Sequence, residues 1–311
     1  MKTILTESAE TAAEIIRGGG LVAFPTETVY GLGANAFDQT AVAKIFEAKG
    51  RPADNPLIVH VANLEQVEGI TVDLDLHARE FITKFFPGPL TIVAMGSRKV
   101  AENATAGLST VAFRMPGNEI AHELIDRCGV PLVAPSANLS GRPSPTTCEA
   151  VYEDLNGRID CILKGEATEI GLESTVVDCT GEFPILLRLG AVSLDDLQAV
   201  VPTTRFAIEE SPETRSPGLK HKHYSPNADV ILVEDLSTDF HADAAYIGLH
   251  ELPTEVAFVK LIPSVDDYAH VVFEFFRECD RRNIKTIYCE FVSEEGIGAA
   301  LMDRLRRASE K

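Results

Sequence analysis

The sequence predicts an α/β protein in two parts, a larger unit with a mixed sheet and a smaller doubly wound one. Three observations carry this. Amphipathic stretches of helical length alternate with short apolar runs from the N-terminus onward. The periodicity lapses between about 202 and 229 into Thr, Glu, Ser and Pro, and then resumes. With 311 residues, 45% of them hydrophobic and 24% charged, the chain is long enough for two cores. The boundaries read as 1–205, a linker or lid over 206–228, and 229–311.

Residues 8–17 read as an amphipathic helix closed by Gly18-Gly19-Gly20, and Leu21-Val22-Ala23-Phe24 as a buried strand. Helices at 39–48 and about 76–86 alternate with strands at 57–61 and 90–94. Short β-rich segments follow at 110–114, 132–134, 161–164, 175–178 and 185–188, with helices at 119–128 and 147–155 between the first three. The break holds Ser211-Pro212 and Ser216-Pro217-Gly218. Beyond it, 230–233, 244–249 and 286–291 read as buried strands, and 268–281 and 297–307 as amphipathic helices, a small doubly wound arrangement.

Composition removes several classes of function. No apolar run approaches the roughly 18 to 20 residues of a membrane span, and the first residues lack the apolar centre of a signal peptide, so a cytoplasmic protein is expected. The six cysteines are scattered without C-x-x-C pairs or zinc-ligand spacing, which predicts buried free thiols and no protein-held metal. A net charge of −19 repels a phosphate backbone, so any anion must meet a local basic pocket.

Polar residues gather where buried strands end, the usual ligand-binding edge of α/β folds. Pro25-Thr26-Glu27-Thr28-Val29-Tyr30-Gly31-Leu32-Gly33 sets two hydroxyls, a carboxylate and a phenol after the strand at 21–24, with glycines that either admit a ligand or make a turn. Lys49-Gly50-Arg51-Pro52 through Asn55-Pro56 follows a helix; Lys and Arg there either complement the helix dipole or clamp phosphate. His60 alternates with apolar neighbours, which favours a satisfied core histidine over a ligand. Arg114, ending the apolar run at 110–113, requires a carboxylate partner, internal or from a substrate. The stretch from Pro135 to Thr146, with Ser136, Asn138 and Arg142, supplies donors for phosphate or ribose ahead of a helix that Thr146 caps. Glu173-Ser174-Thr175 and Arg188 repeat the theme.

None of these is a P-loop or a Rossmann glycine fingerprint. Taken in order, they resemble the threonylcarbamoyl-AMP synthase family, whose shared module is the YrdC-like domain, a twisted mixed-sheet catalytic domain. The likeness extends to its long form, which adds a linker and a Rossmann-like C-terminal domain. It includes Ser216-Pro217-Gly218-Leu219-Lys220-His221-Lys222-His223-Tyr224-Ser225-Pro226 and the run from Gly296-Ile297-Gly298 to Asp303-Arg304-Leu305. The family more often has Met and Tyr at Leu219 and His221, and Asn at Asp303.

The resemblance implies synthesis of threonylcarbamoyl-AMP from L-threonine, bicarbonate or carbon dioxide and ATP, with release of pyrophosphate, for modification of an adenosine in tRNA. It implies Lys49 and Arg51 as the catalytic phosphate clamp. Asn55, Thr110, Asn138, Thr146, Arg188 and Tyr224 join them on the ATP side, and Thr28, His60, Arg114, Ser136 and Ser174 lie on the threonine side. Magnesium is implied by the triphosphate, and threonylcarbamoyl-transfer machinery as the recipient of the product. The 216–226 segment is expected to fold over the site as a lid carrying Tyr224. Two other readings stay open: an RNA-binding module, which the charge and the lack of Trp oppose, and a carbamoyl-adenylate enzyme using carbamoyl phosphate.

Overall fold

The computed structural model describes residues 2–207, 224–237 and 239–310. The expected lid at 216–226 therefore lies outside the described residues up to 223, and only Tyr224, Ser225 and Pro226 of it are seen.

The larger unit begins with strand β1 (Ile4–Thr6) and helix α1 (Ala9–Arg17), whose first turn is closed by Ser8 accepting from the Thr11 amide. Strand β2 (Val22–Phe24) leads through the polar stretch at 25–30 into β3 (Gly31–Asn35), which pairs antiparallel to it. Gly31 and Gly33 thus sit in a strand rather than a turn. A Cβ at Gly33 would stand 2.8 Å from the Phe24 ring, so glycine makes room for that cross-strand aromatic. Helix α2 (Gln39–Lys49) is capped by Asp38 and stopped by Gly50 in the left-handed region at φ 60°. Then come β4 (Ile58–His60), α3 (Leu64–Ile70), α4 (Leu76–Phe85), β5 (Leu90–Met95), β6 (Thr110–Arg114), α5 (Glu119–Cys128) and β7 (Leu132–Val133). The unit closes with α6 (Cys148–Leu155), β8 (Cys161–Leu163), β9 (Thr175–Asp178), β10 (Ile185–Arg188), α7 (Leu194–Val200) and β11 (Arg205–Phe206).

The strands form one mixed sheet in the order β1-β8-β2-β3-β7-β4-β6-β5-β9-β10-β11. Alternate residues feed opposite faces: Leu21 and Ala23 pack with α2, α4, α6 and α7, whereas Val22 and Phe24 pack with α1 and α5. The cap of α6 is Thr147, not Thr146; Thr147 accepts from the Ala150 amide while Thr146 is buried one residue outside. Segments too short or too mixed to show a period, namely β1, β3, α3, α7 and β11, escape sequence reasoning.

The smaller unit has β12 (Asp229–Val233), β13 (Ala245–Gly248), β14 (Phe258–Leu261), α8 (Val265–Arg281), β15 (Thr286–Glu290) and α9 (Ile297–Ser309), with an all-parallel sheet in the order β12-β15-β13-β14. It is not doubly wound. Both helices pack on one face, against Val230, Ala245, Ile247, Ile287 and Cys289. On the other face Val233, Tyr246 and Tyr288 are covered by Leu236, Phe240, Leu252 and Val256 from irregular connections. Right-handed crossovers send both connections that precede β14 over that second face, and each is too short to hold a packed helix.

The two units share a tight interface. The Gly171 backbone lies against α8 so closely that a Cβ there would meet the His270 carbonyl at 2.4 Å, and His270 Nδ1 lies 2.7 Å from the Glu169 carbonyl. All six cysteines are buried and free. Among the described residues no helix is long and apolar enough to cross a membrane.

Candidate active site

A cleft with about 680 Å³ of open space, counting its mouth, lies where strand ends and loops of the larger unit face the start of the smaller one. Parallel pairing of β4 with β6 sets His60 opposite Arg114, so these two line it side by side. Thr28 arrives from the stretch after β2, Ser136 and Asn138 from the loop after β7, Ser174 from just before β9, Arg188 from the end of β10, and Arg51 from the turn after α2.

Arg114 is 3% exposed and held on three sides. Its Nε donates to the Gly88 carbonyl at 3.1 Å, one Nη to Thr28 Oγ1 at 2.8 Å, and the other stands 2.6 Å from Glu27 Oε1. The carboxylate that Arg114 required is therefore Glu27, the internal alternative. Burial raises the Glu27 carboxyl, but the Arg114 charge and backbone hydrogen bonds outweigh it and hold the group below the usual carboxylate range. Burial, reinforced by Arg114, pushes His60 down to about 3, so its imidazole is neutral at physiological pH.

Across the cleft, Arg188 donates from Nε to the Ser174 carbonyl at 3.0 Å and from Nη2 to Ser174 Oγ at 3.1 Å. Arg51 has a buried Nε without a hydrogen-bond partner among the described residues. Burial lowers Arg51 to about 10, with Arg188 pressing the same way. Two cations that raise each other's cost in one space are stabilised by an anion between them.

Thus Thr28, Arg51, His60, Arg114, Ser136, Asn138, Ser174, Arg188 and Tyr224 are brought together. Lys49, Asn55, Thr110 and Thr146 do not line this cleft. Thr110 borders a separate small recess with Pro56, Leu57 and Leu108, and Asn55 and Thr146 are buried beside the cleft. Lys49, the other half of the expected clamp, is 2% exposed. Its Nζ donates to the Ser136 carbonyl, to the Asn138 carbonyl at 2.6 Å and to Asn138 Oδ1 at 3.3 Å. Burial lowers its pKa, yet three oxygens around Nζ match the three N–H bonds of an ammonium ion. Lys49→Met leaves those oxygens without their donor and is expected to destabilise the protein by about 3 kcal/mol. A denaturant midpoint equal to wild type would contradict this anchoring role.

Sequence reasoning missed what the smaller unit contributes. Arg277 of α8 reaches Asp154 of α6 at 2.9 and 3.2 Å and the Pro143 carbonyl at 2.5 Å. Asp154 also accepts from Arg142 at 2.5 Å and from the Leu139 amide at 3.2 Å, so the loop at 138–144 is tied from behind. Arg304 of α9, 1% exposed, donates to Glu173 at 2.9 Å and to the Leu189 carbonyl at 2.9 Å, and lies 5.1 Å over the Tyr224 ring. Glu173 in turn accepts from Ser144, and all three of Tyr224, Glu173 and Ser144 line the cleft. The signal that was overlooked is an arginine on the buried face of each amphipathic helix, Arg277 and Arg304.

Comparison with known proteins identifies the family. The family described as Telomere recombination matches residues 14–190, and the one described as Threonylcarbamoyl-AMP synthase, C-terminal domain, matches 192–310. A threonylcarbamoyl-AMP synthase of Pyrococcus abyssi is 45% identical over 316 residues, covering 96% of this chain and 93% of its own. One from Bacillus subtilis is 39% identical, with 96% and 92% covered. The crystal structure of P. abyssi Sua5 complexed with L-threonine superposes with a TM-score of 0.89 at 41% identity, covering 99% of this chain and 97% of that one.

Proposed function

The chain belongs to the threonylcarbamoyl-AMP synthase family in its long form, and on that premise we propose that the cleft between Arg114 and the Arg51–Arg188 pair holds L-threonine and ATP together. The protein is a threonylcarbamoyl-AMP synthase serving threonylcarbamoyladenosine modification of tRNA. The observation that supports this use of the cleft is that Arg51, Arg114 and Arg188, drawn from three separate chain segments, line it beside a row of hydroxyls.

The chemistry suits such a site. Threonine takes up carbon dioxide or bicarbonate at nitrogen, and the resulting carboxylate attacks the α-phosphorus of ATP, expelling pyrophosphate. An N-carboxylate is already a nucleophile, so the protein needs to position two anions and offset the charge that develops on phosphate oxygens. In this reading Arg114 takes the threonine carboxylate, with Thr28, His60, Ser136 and Ser174 around the amino acid. Arg51 and Arg188 take the phosphates, Asn138 and Tyr224 flank them, and Asn55, Thr110 and Thr146 lie behind or beside the nucleotide. Lys49 acts by fixing the loop it is tied to.

Magnesium enters as part of the nucleotide substrate. Glu27 and Glu173 are both engaged by arginines, so in this reading phosphate and water oxygens would supply its ligands. The division into a catalytic unit over 1–205, a connecting lid over 206–228 and a C-terminal unit over 229–311 belongs to the same reading. So does transfer of the product to threonylcarbamoyl-transfer machinery in the cytoplasm.

Pyrophosphate release from ATP and bicarbonate is expected to depend on L-threonine, and carbamoyl phosphate is not expected to replace threonine and bicarbonate. Release indifferent to threonine would overturn the assignment in favour of another carbamoyl-adenylate chemistry.

A further inference from the structure

We propose that Phe273, a core residue of the smaller unit that does not line the cleft, is a positioning residue for nucleotide binding: its ring holds Tyr224 in place on the phosphate wall. The inference rests on the reading of the cleft in which Tyr224 flanks the phosphates, and it names what puts Tyr224 there.

Tyr224 belongs to two places at once. It is 6% exposed and counts among the core residues of the smaller unit, yet it also lines the cleft with Arg51 and Arg188. Burial lowers the pKa of both arginines and the Tyr224 phenol counters it in each, so its oxygen stands within electrostatic reach of the two cations. The backbone there is unfavourable. Its φ of 68° lies in the left-handed region, where a Cβ crowds the following carbonyl and glycine is the ordinary occupant. An aromatic residue keeps that conformation only where its surroundings impose it.

Four contacts do so. The Phe273 ring of α8 is stacked on the Tyr224 ring, with centroids 5.5 Å apart and planes 19° from parallel. The Arg304 guanidinium of α9 lies 5.1 Å from the centre of the Tyr224 ring. The Ser225 amide donates to the Gly141 carbonyl of the cleft loop at 3.0 Å, and the Asn227 amide donates to Asp280 Oδ1 at 2.8 Å. Phe273 and Asp280 are two turns apart on α8, so one face of that helix grips the chain at Tyr224 and again at Asn227. The two amide bonds are indifferent to the side chain at 224, and Arg304 also serves Glu173 and the Leu189 carbonyl. Phe273 is therefore the contact specific to the ring. Without it, relaxation of the backbone out of the left-handed region draws the phenol away from Arg51 and Arg188.

The test measures dissociation constants for ATP and for L-threonine, and the KM for ATP in pyrophosphate release, in wild type, Phe273→Leu, Tyr224→Leu and the double variant. Phe275→Leu is the matched lesion, since Phe275 is also buried on α8 but stacks on Phe258, with ring centres 5.1 Å apart. An aromatic pair is worth about threefold to tenfold in an equilibrium constant. Phe273→Leu should weaken ATP by that factor and leave the affinity for threonine alone unchanged. Phe275→Leu should lower the melting temperature comparably with the KM for ATP as in wild type. Because Phe273 acts through Tyr224, the double variant should bind ATP no worse than Tyr224→Leu. A Phe273→Leu protein that loses stability but keeps the wild-type KM for ATP overturns the proposal, as do an equal loss in Phe275→Leu and losses that multiply in the double variant. Phe273→Met gives the same comparison if the leucine variant does not fold. Wild type that binds no ATP sinks the reading of the cleft itself. ATP binding lost in Arg51→Ala but untouched by Tyr224→Leu leaves that reading standing and sinks only the role of Phe273.

Discussion

Arg51→Ala is expected to lose threonine-dependent pyrophosphate release by a factor on the order of 100 to 1,000 in kcat/KM. The turn that delivers this side chain is built from the end of α2, where Gly50 at φ 60° lets the chain reverse and its amide returns to the Phe46 and Glu47 carbonyls. The guanidinium then enters a cleft it shares with Arg188. Its lowered pKa of about 10 still leaves it charged at neutral pH, and its buried Nε has no partner among the described residues. A phosphate oxygen satisfies that donor and offsets the repulsion in one step. Arg51→Lys should recover only part of the activity, because an ammonium ion cannot present the planar fork. Neither change strands a buried carboxylate, so the melting temperature should stay near wild type. Full activity in Arg51→Ala would remove it from the phosphate site.

The second large effect is on stability. Arg304→Met strips Glu173 of its cross-unit partner at 2.9 Å, with Glu173 itself only 7% exposed, and is expected to cost about 3 to 5 kcal/mol. Burial raises the Glu173 carboxyl, but Arg304, Arg188 and Ser144 outweigh it and hold its pKa below the usual range. A depressed folded-state pKa means that this stabilisation is complete above the unfolded-state value and is lost as pH falls through the folded one. The gap between wild type and Arg304→Met, followed by denaturant titration, should accordingly be widest at neutral pH and shrink in acid. Combining the change with Glu173→Gln should recover part of the loss, since no unpaired charge then remains buried. A gap that is constant with pH, or no recovery in the double variant, would show that the Arg304–Glu173 pair is not what joins the units. Synthesis should fall as well, because Glu173, Ser144 and Tyr224 all form the wall of the cleft.

Much of the fold was legible because its elements are long enough to show a period. The helix at 119–128 and the strands at 110–114, 175–178 and 185–188 coincide with α5, β6, β9 and β10 to the residue. Asp38, Asn118 and Thr147 cap their helices through side-chain oxygens, as short polar residues at such positions do. The two- and three-residue strands β1 and β11 depend on neighbours far away in sequence, and β3 was hidden by its glycines. The site was legible in part for a different reason: polar residues at the ends of apolar strands stand out against their surroundings, which is how Thr28, Arg114, Ser136, Ser174 and Arg188 were found.

The sequence by itself determined the residue types of the cleft, the alternation of helix and strand, and the break near 202 to 229. Those are local properties, set by periodicity, capping and the cost of burying an unpaired polar group. Only the tertiary structure decided which charge meets which. Arg114 found Glu27 rather than standing free, Lys49 turned from the cleft to a cage of carbonyl oxygens, and two arginines of the smaller unit became ties to Asp154 and Glu173. These ion pairs and anchors are fixed by contacts across tens to more than a hundred residues of chain, and no pattern read along the chain carries that distance.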